Sequence, residues 1–351
     1  MEMNTKTRTV VGVDTAKSVF ALYWIDVETG EIANRTLRRG RFLAHFEGLA
    51  PCLVGMEACG GSHHWARELV KLGHEVRLLP TKMVKPFAGG GNKSDAHDAR
   101  AIWRAVQQPD IRCVAIKSEG QQAVLALHRM RQELVKFRTA QINGLRGLLT
   151  EYGEVMPKGR AGMKRDLAGI LARLSDRLPA MVIESWCEQW ARIGALDMQI
   201  KQIETRLARW HRQDAASLRI AGIPGVGLLT ATAAAAAMGD PAVFRSGREF
   251  AAWAGLVPRH TGTGGRVQMH GISKRGDRYL RTLLIHGARS VLTNSRTLPA
   301  WITRLLARRP RNVVIVALAN RMARMIWALL AHGRTYRADH VSRPPLRVHP
   351  A

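Results

Sequence analysis

The sequence predicts an α/β N-terminal domain, then long helices, then a mostly α-helical C-terminal domain. Three observations predict it. Up to about residue 117, short β-rich runs alternate with helical patterns, the layout of a central sheet flanked by helices. From Ser118 the texture turns to long Arg- and Leu-rich stretches without strand signals, and beyond Leu218 to shorter helical segments punctuated by Gly and Pro.

Taken in order, residues 9–26 carry β-rich runs and Gly30 marks a turn. A second strand over 52–56 ends at Glu57. A helix over 64–72 is stopped by Gly73, and a strand over 75–79 is closed by Pro80. Residues 89–92 form a Gly-rich loop leading into a helix that starts near Ser94. Residues 121–149 and 180–210 read as two long helices able to pair within the chain or across a dimer, because Leu125, Leu127, Leu134, Leu145 and Leu148 recur near helical spacing. Ile223-Pro224-Gly225-Val226-Gly227 reads as a turn between helices. An alanine-rich helix to Met238, the segment 244–256, a Gly-rich stretch at 262–265 and a basic helix from Asp277 follow. The expected divisions are 1–117, a helical linker at 118–212 suited to dimerisation, a C-terminal domain at 213–340, and a loose Pro- and Arg-rich tail at 341–351.

The composition is that of a globular chain, with 46% hydrophobic and 23% charged residues. Its charge is unusual: 54 Lys and Arg against 27 Asp and Glu leave a formal +27. Such a surplus repels itself in a compact state and calls for an anionic partner. Nucleic acid fits best, since neutralising phosphates releases counterions and rewards many basic residues at once. A genome biased toward arginine is the competing source of the surplus. A membrane role is not expected. Asp14 breaks the apolar run at 10–13, so no signal peptide is read. Arg321 and Arg324 interrupt the apolar stretch at 313–330, which suits an amphipathic helix with one basic edge. Cys52, Cys59, Cys113 and Cys187 have neither zinc nor disulfide spacing, so the expected location is a reducing cytoplasm, at the nucleoid.

Three short motifs place acids at element ends. Asp14 closes Val11-Gly12-Val13, Glu57 closes Gly55-Met56, and Asp95 and Asp98 sit three apart in the first turn of the helix that Ser94 caps. Each alone also fits an ordinary turn carboxylate or an acid favoured by a helix dipole. Together, converging carboxylates repel by about 1 kcal/mol per pair at 4 Å even in water-like dielectric, and divalent cations remove that penalty. Hard oxygen ligands favour Mg²⁺ or Mn²⁺, the ions that clamp both oxygens of a phosphoryl displacement. His97, between the two aspartates, reads as a packing or solvent residue. Gly225 and Gly227 fit either a helix-hairpin-helix turn, whose backbone N–H groups approach a phosphate, or a plain tight turn. Residues 258–266 and 272–281 set hydroxyls among glycines with Arg259, Arg266, Lys274, Arg275 and Arg278. On chemistry alone they read as a basic phosphate-binding loop rather than the seat of a nucleophile.

The order of these pieces resembles the DEDD-type transposases of the insertion-sequence one-ten family. The resemblance rests on Gly12 to Lys17, Met56-Glu57-Ala58, Lys93 to Ala99, Ile223 to Gly227, Phe250 to Pro258, and Ile272 to Gly276, and covers nearly the whole chain. It implies an RNase H-like, RuvC-like N-terminal domain in which Asp14, Glu57, Asp95 and Asp98 form an acidic tetrad. It also implies a C-terminal serine nucleophile shortly after the Gly-Leu-x-Pro segment and just before a glycine. Here that position is Thr263, a competent hydroxyl hindered by its β-methyl group, with Thr261 as second choice. Ser273 is expected to be structural or phosphate-binding. By resemblance the partners are DNA, a structured non-coding guide RNA, and further copies of the chain in a homodimer or homotetramer. The rival readings are a junction-resolving nuclease in which water attacks, and a nucleic-acid-binding remnant without catalysis.

Overall fold

A computed structural model describes residues 8–89, 94–157 and 159–340, without the side chain of Arg160. Lys93, Gly90 to Asn92 and the tail at 341–351 therefore lie outside the described residues. The chain forms two compact units. One runs to Gly120 and includes Met238–Arg245; the other comprises Gln121–Ala237 and the chain from Ser246 onward.

The first unit contains β1 (Val10–Thr15), β2 (Val19–Ile25), β3 (Ile32–Arg38), α1 (Phe42–Glu47), β4 (Leu53–Glu57), α2 (Ser62–Lys71), β5 (Glu75–Leu79), α3 (Thr81–Val84) and α4 (Asp95–Val106). The sheet order is β3-β2-β1-β4-β5. β1, β2 and β3 form an antiparallel meander, while β4 runs parallel to both β1 and β5. β3 and α1 were not expected from the sequence. β3 (Ile-Ala-Asn-Arg-Thr-Leu-Arg) is mostly exposed and buries only Leu37, so it lacks the apolar run that marks a strand; its polar residues suit a sheet edge.

Strand alternation sends side chains to two layers. Val11, Val13, Phe20, Leu22, Val54 and Met56 meet Phe42 and Phe46 of α1 and Trp65 and Leu69 of α2. Four rings lock this layer, with Phe20 edge-on to Phe42 at 4.7 Å and to Trp65 at 5.1 Å. The opposite face, carrying Gly12, Ala21, Tyr23 and Gly55, is covered by α4. Two glycines set that packing. A Cβ on Gly12 would lie 2.3 Å from the Ala99 carbonyl oxygen, and one on Gly55 would lie 2.8 Å from Val106 Cβ. The helix thus rests almost on the sheet backbone. The separate piece around Val243 joins this unit through its carbonyl, which accepts from Arg112 Nη1 at 3.1 Å.

The second unit contains α5 (Glu119–Glu151, its first two residues in the first unit), α6 (Arg160–Ser175), α7 (Ala180–His211), α8 (Ala215–Ala221), α9 (Leu228–Met238), α10 (Gly247–Trp253), β6 (Pro258–Thr263), β7 (Arg266–Ile272), α11 (Arg278–Asn294), α12 (Ala300–Leu306) and α13 (Arg311–Ala331). The two long helices pair antiparallel within the chain, stitched by Arg131–Glu204 at 2.7 Å and Arg138–Asp197 at 2.8 Å. At one end Ile142, Leu145 and Leu149 pack with α6 and with Trp186 and Ile193. At the other, Val124, Ile203 and Leu207 pack on Ala236 of α9. α9 is apolar all round and largely buried, as a central core helix should be. His128 ties three helices together. Its Nδ1 lies 2.9 Å from the Tyr279 hydroxyl and its Nε2 3.0 Å from Thr232 Oγ1, which itself donates to Leu228 O. A neutral ring with the proton on Nε2 satisfies all three, and burial, reinforced by Arg131, lowers its pKa to about 4.

α13 is long and apolar enough to cross a membrane by length and composition. In the fold Val314, Ile315, Leu318, Ala319, Met322, Ala323 and Ile326 are buried on one side, and the helix packs on α10 and α11. It behaves as the amphipathic core helix with a basic edge that its sequence predicts.

Candidate functional site

Strand register brings two acids of the first unit side by side. Val13 pairs with Met56 and Gly12 with Gly55, so the next step along these parallel strands sets Asp14 beside Glu57 on strands about 4.8 Å apart. Both lie two residues beyond a glycine that touches α4, hence on the α4 face. Asp95 and Asp98 occupy the first turn of α4, with Ser94 as N-cap accepting from His97 N at 3.3 Å. Because Ala99 sits over Gly12, this turn belongs to the same face of the sheet. Asp14, Glu57 and Asp98 are half-buried; Asp95 and His97 are exposed. Among the described residues, no three His, Cys, Asp or Glu side chains close into a metal-binding group. The donors are nonetheless all hard carboxylate oxygens on one face, the set a divalent cation of the Mg²⁺ class takes. Beside them, Thr15 Oγ1 lies 3.3 Å from Cys59 Sγ. Thr15 belongs to the Asp14 motif, but nothing in the sequence brings Cys59, forty-four residues on, beside it.

Residues 258–272 correct the expected Gly-rich loop. They form a β-hairpin turned by Gly264 and Gly265, at φ 56° and 81°, a two-residue turn that requires positive φ at both positions. The signal was present in the sequence as Gly-Gly between two alternating runs. The register Thr261↔Gln268 and Thr263↔Arg266 puts Thr261, Thr263, Arg266, Gln268 and His270 on one face. His260, Val267 and Met269 stand on the other, with Val267 and Met269 largely exposed. Thr263 is exposed at the strand tip. Thr261 Oγ1 lies 2.7 Å from His270 Nε2, a hydroxyl–imidazole contact that the sequence did not disclose.

The base of the hairpin is clamped. Gly255 (φ 73°) approaches Arg275 O so closely that a Cβ would lie 2.2 Å away, and Gly276 (φ 73°) sits tighter still against Trp253 O. The guanidinium of Arg281, a buried residue, donates to Ala254 O at 3.1 Å and Arg275 O at 3.0 Å. Ser273 Oγ accepts from Arg275 N at 3.5 Å. Lys274 has positive φ (54°), and Asp277 caps α11 by accepting from Leu280 N at 2.9 Å. Arg259, Arg266, Lys274, Arg275 and Arg278 are all exposed; Arg266 pairs with Thr263 at the tip, and Lys274, Arg275 and Arg278 follow the foot of the hairpin. Gly225 and Gly227 separate α8 from α9. Gly225 packs against α11, where a Cβ would meet Gly287 O at 2.7 Å, whereas Gly227 is exposed with open space beside it. The first glycine therefore serves helix packing, and only the second is open to a ligand.

Comparison with known proteins bears on these two regions separately and on the chain as a whole. Residues 11–154 match the DEDD-type family described as Transposase, and residues 217–303 match the Transposase IS116/IS110/IS902 family. A probable family 20 transposase of Pseudomonas aeruginosa is 46% identical over 334 residues, covering 93% of this chain and 98% of that protein. The transposase for insertion sequence element IS1111A of Coxiella burnetii is 40% identical over 338 residues (93% and 91%). That for element IS1328 of Yersinia enterocolitica is 36% identical over 334 residues (93% and 98%).

Proposed function

This chain belongs to the IS116/IS110/IS902 family of insertion-sequence transposases, and we propose that Asp14, Glu57, Asp95 and Asp98 act with the hydroxyl of Thr263 in cutting and rejoining DNA. The observation that carries the proposal is the shared face of the acids: adjacent strand ends deliver Asp14 and Glu57, and the first turn of α4 adds Asp95 and Asp98. An antiparallel β1–β2–β3 meander continued by parallel β4 and β5 supports an RNase H-like, RuvC-like fold for residues 1–117. The roles that follow are a helical linker at 118–212 and a DNA-joining domain at 213–340.

The four carboxylates would hold Mg²⁺ or Mn²⁺, which when bound supplies charge stabilisation to a phosphate in displacement. Thr263 Oγ loses its proton and forms a bond to phosphorus as the bond from phosphorus to one bridging sugar oxygen breaks; the displaced sugar oxygen takes up a proton, so the exchange of esters is balanced. The protein–DNA ester keeps the phosphate activated for rejoining. The exposed Arg259, Arg266, Lys274, Arg275 and Arg278, along the hairpin and beyond its foot, contact phosphates; Gly227 offers a further backbone approach. The +27 charge suits a complex with DNA and a structured guide RNA. Exposed Met130 and Phe137, seven residues apart on α5, suit packing against a second copy in a homodimer or homotetramer. Purifying the protein expressed with its flanking DNA and sequencing what co-purifies tests the RNA component. A discrete RNA encoded beside the gene is expected, and only heterogeneous fragments would contradict it.

A further inference from the structure

The second unit holds a cavity remote in sequence from the acids, one wall of which, Ser246 to Arg248, shortly precedes the hairpin. It lies between the start of α10, the basic edge of α13 and the segment 332–340, and its volume is about 1220 Å³. That is just above the upper end of the ~300–1,000 Å³ of ordinary ligand clefts, room for more than one base. Among the described residues its lining contains no Asp or Glu. It contains five arginines and three large aromatics, Trp301, Trp327 and Tyr336, each half-buried.

The wall is built by helical spacing. Ala317, Arg321, Arg324 and Ala328 recur along α13 opposite its buried stripe. Gly247 brings α10 into backbone contact with that wall, since a Cβ there would lie 2.8 Å from Arg324 O. Arg321 already lies 4.8 Å over the Trp301 ring, the geometry by which a guanidinium and a flat π-system attract. Of the five arginines only Arg337 is engaged with a carboxylate, Asp339 at 3.4 Å; Arg248, Arg321, Arg324 and Arg334 form no ion pair among the described residues.

We propose that this cavity binds an unpaired segment of nucleic acid, with bases stacked among Trp301, Trp327 and Tyr336 and phosphates held by Arg248, Arg324 and Arg334. Cation without aromatics would suit a duplex backbone, and aromatics without cation would suit an apolar partner. Aromatic faces interleaved with guanidinium groups match a single strand, whose exposed bases each offer a π-face. The inference rests on the transposase reading only for the class of polymer. Binding measured in EDTA, without cleavage, keeps its failure distinct from failure of the catalytic assignment.

The test uses the full chain with fluorescent oligo-dT and oligo-rU of about twelve nucleotides, against a duplex of equal length. Both single strands are expected to quench tryptophan fluorescence, and whichever binds tighter identifies the strand as DNA or RNA through the 2′-hydroxyl. Arg324→Glu with Arg334→Glu should weaken single-strand binding by about tenfold or more. Arg206→Glu with Arg209→Glu, an equal charge change on exposed positions of α7, should alter it less than about twofold. Tyr336→Leu, which keeps the charge, should weaken binding about fivefold and flatten the quenching. Equal losses in the two charge-reversed proteins, a loss of duplex binding as large as that of single-strand binding in Arg324→Glu with Arg334→Glu, or displacement of the strand by polyglutamate at lower concentration would each overturn the proposal.

Discussion

The acid face of the α/β unit and the hydroxyl face of the hairpin solve opposite problems. The first is positioned from beneath: two glycines admit α4 to the sheet backbone, and strand register does the rest. The second stands exposed on both sides and is fixed only at its foot, by interlocked carbonyls and one buried guanidinium. Under the proposed roles, acids that share a cation gain from a rigid floor, and a hydroxyl that attacks DNA gains from exposure, with rigidity moved to its anchor.

This contrast breaks most visibly at Asp14. Asp14→Asn keeps the shape and removes one charge from the acid face, so DNA joining is expected to fall by about a hundredfold or more. Circular dichroism and the unfolding midpoint should hold, and retained joining would remove Asp14 from the site. Gly12→Val breaks the floor itself. Its side chain would collide with the α4 backbone, costing about 1–3 kcal/mol or more, and a lowered denaturation midpoint should accompany lost joining.

Arg281→Ala tests the anchor. It strips donors from Ala254 O and Arg275 O, a cost of about 1–3 kcal/mol for buried unsatisfied groups. The expected signature is faster hydrogen exchange in the hairpin with little change in the five-stranded sheet; uniform loosening of both units would contradict it. His128 gives a smaller, pH-graded effect. Its folded pKa of about 4 lies below the ordinary 6.5, so the unfolded chain binds the extra proton more readily. That contribution is fully present above pH 6.5 and is lost as pH falls from 6.5 toward 4. His128→Gln should flatten this part of the stability profile; an unchanged slope would show that other groups set it.

The legible parts of the molecule were those where chemistry and element ends coincide. Asp14, Glu57, Asp95 and Asp98 stand out because apolar runs or a serine cap precede them, and the long helices because Leu recurs without strand signals. The role of the glycines at 12 and 55 was not legible, since nothing local says a helix will lie on them. β3 hid behind its polarity, and α6 between loop-like flanks. The hairpin was obscured by its many glycines, although Gly264-Gly265 is itself a turn signal. Arg281 and His270 were invisible for a different reason: their meaning lies in partners, Ala254 O and Thr261, that only folding brings near.

The most direct test of the central claim incubates end-labelled element DNA with wild-type protein, Asp14→Asn, Thr261→Ala and Thr263→Ala, with Mg²⁺, and resolves the products on denaturing gels. The account predicts a protease-sensitive protein–DNA species for wild type and Thr261→Ala that disappears in the other two variants. Cleavage without that species in wild type, or its persistence in Thr263→Ala, would contradict the account and assign the attack to water or to another hydroxyl.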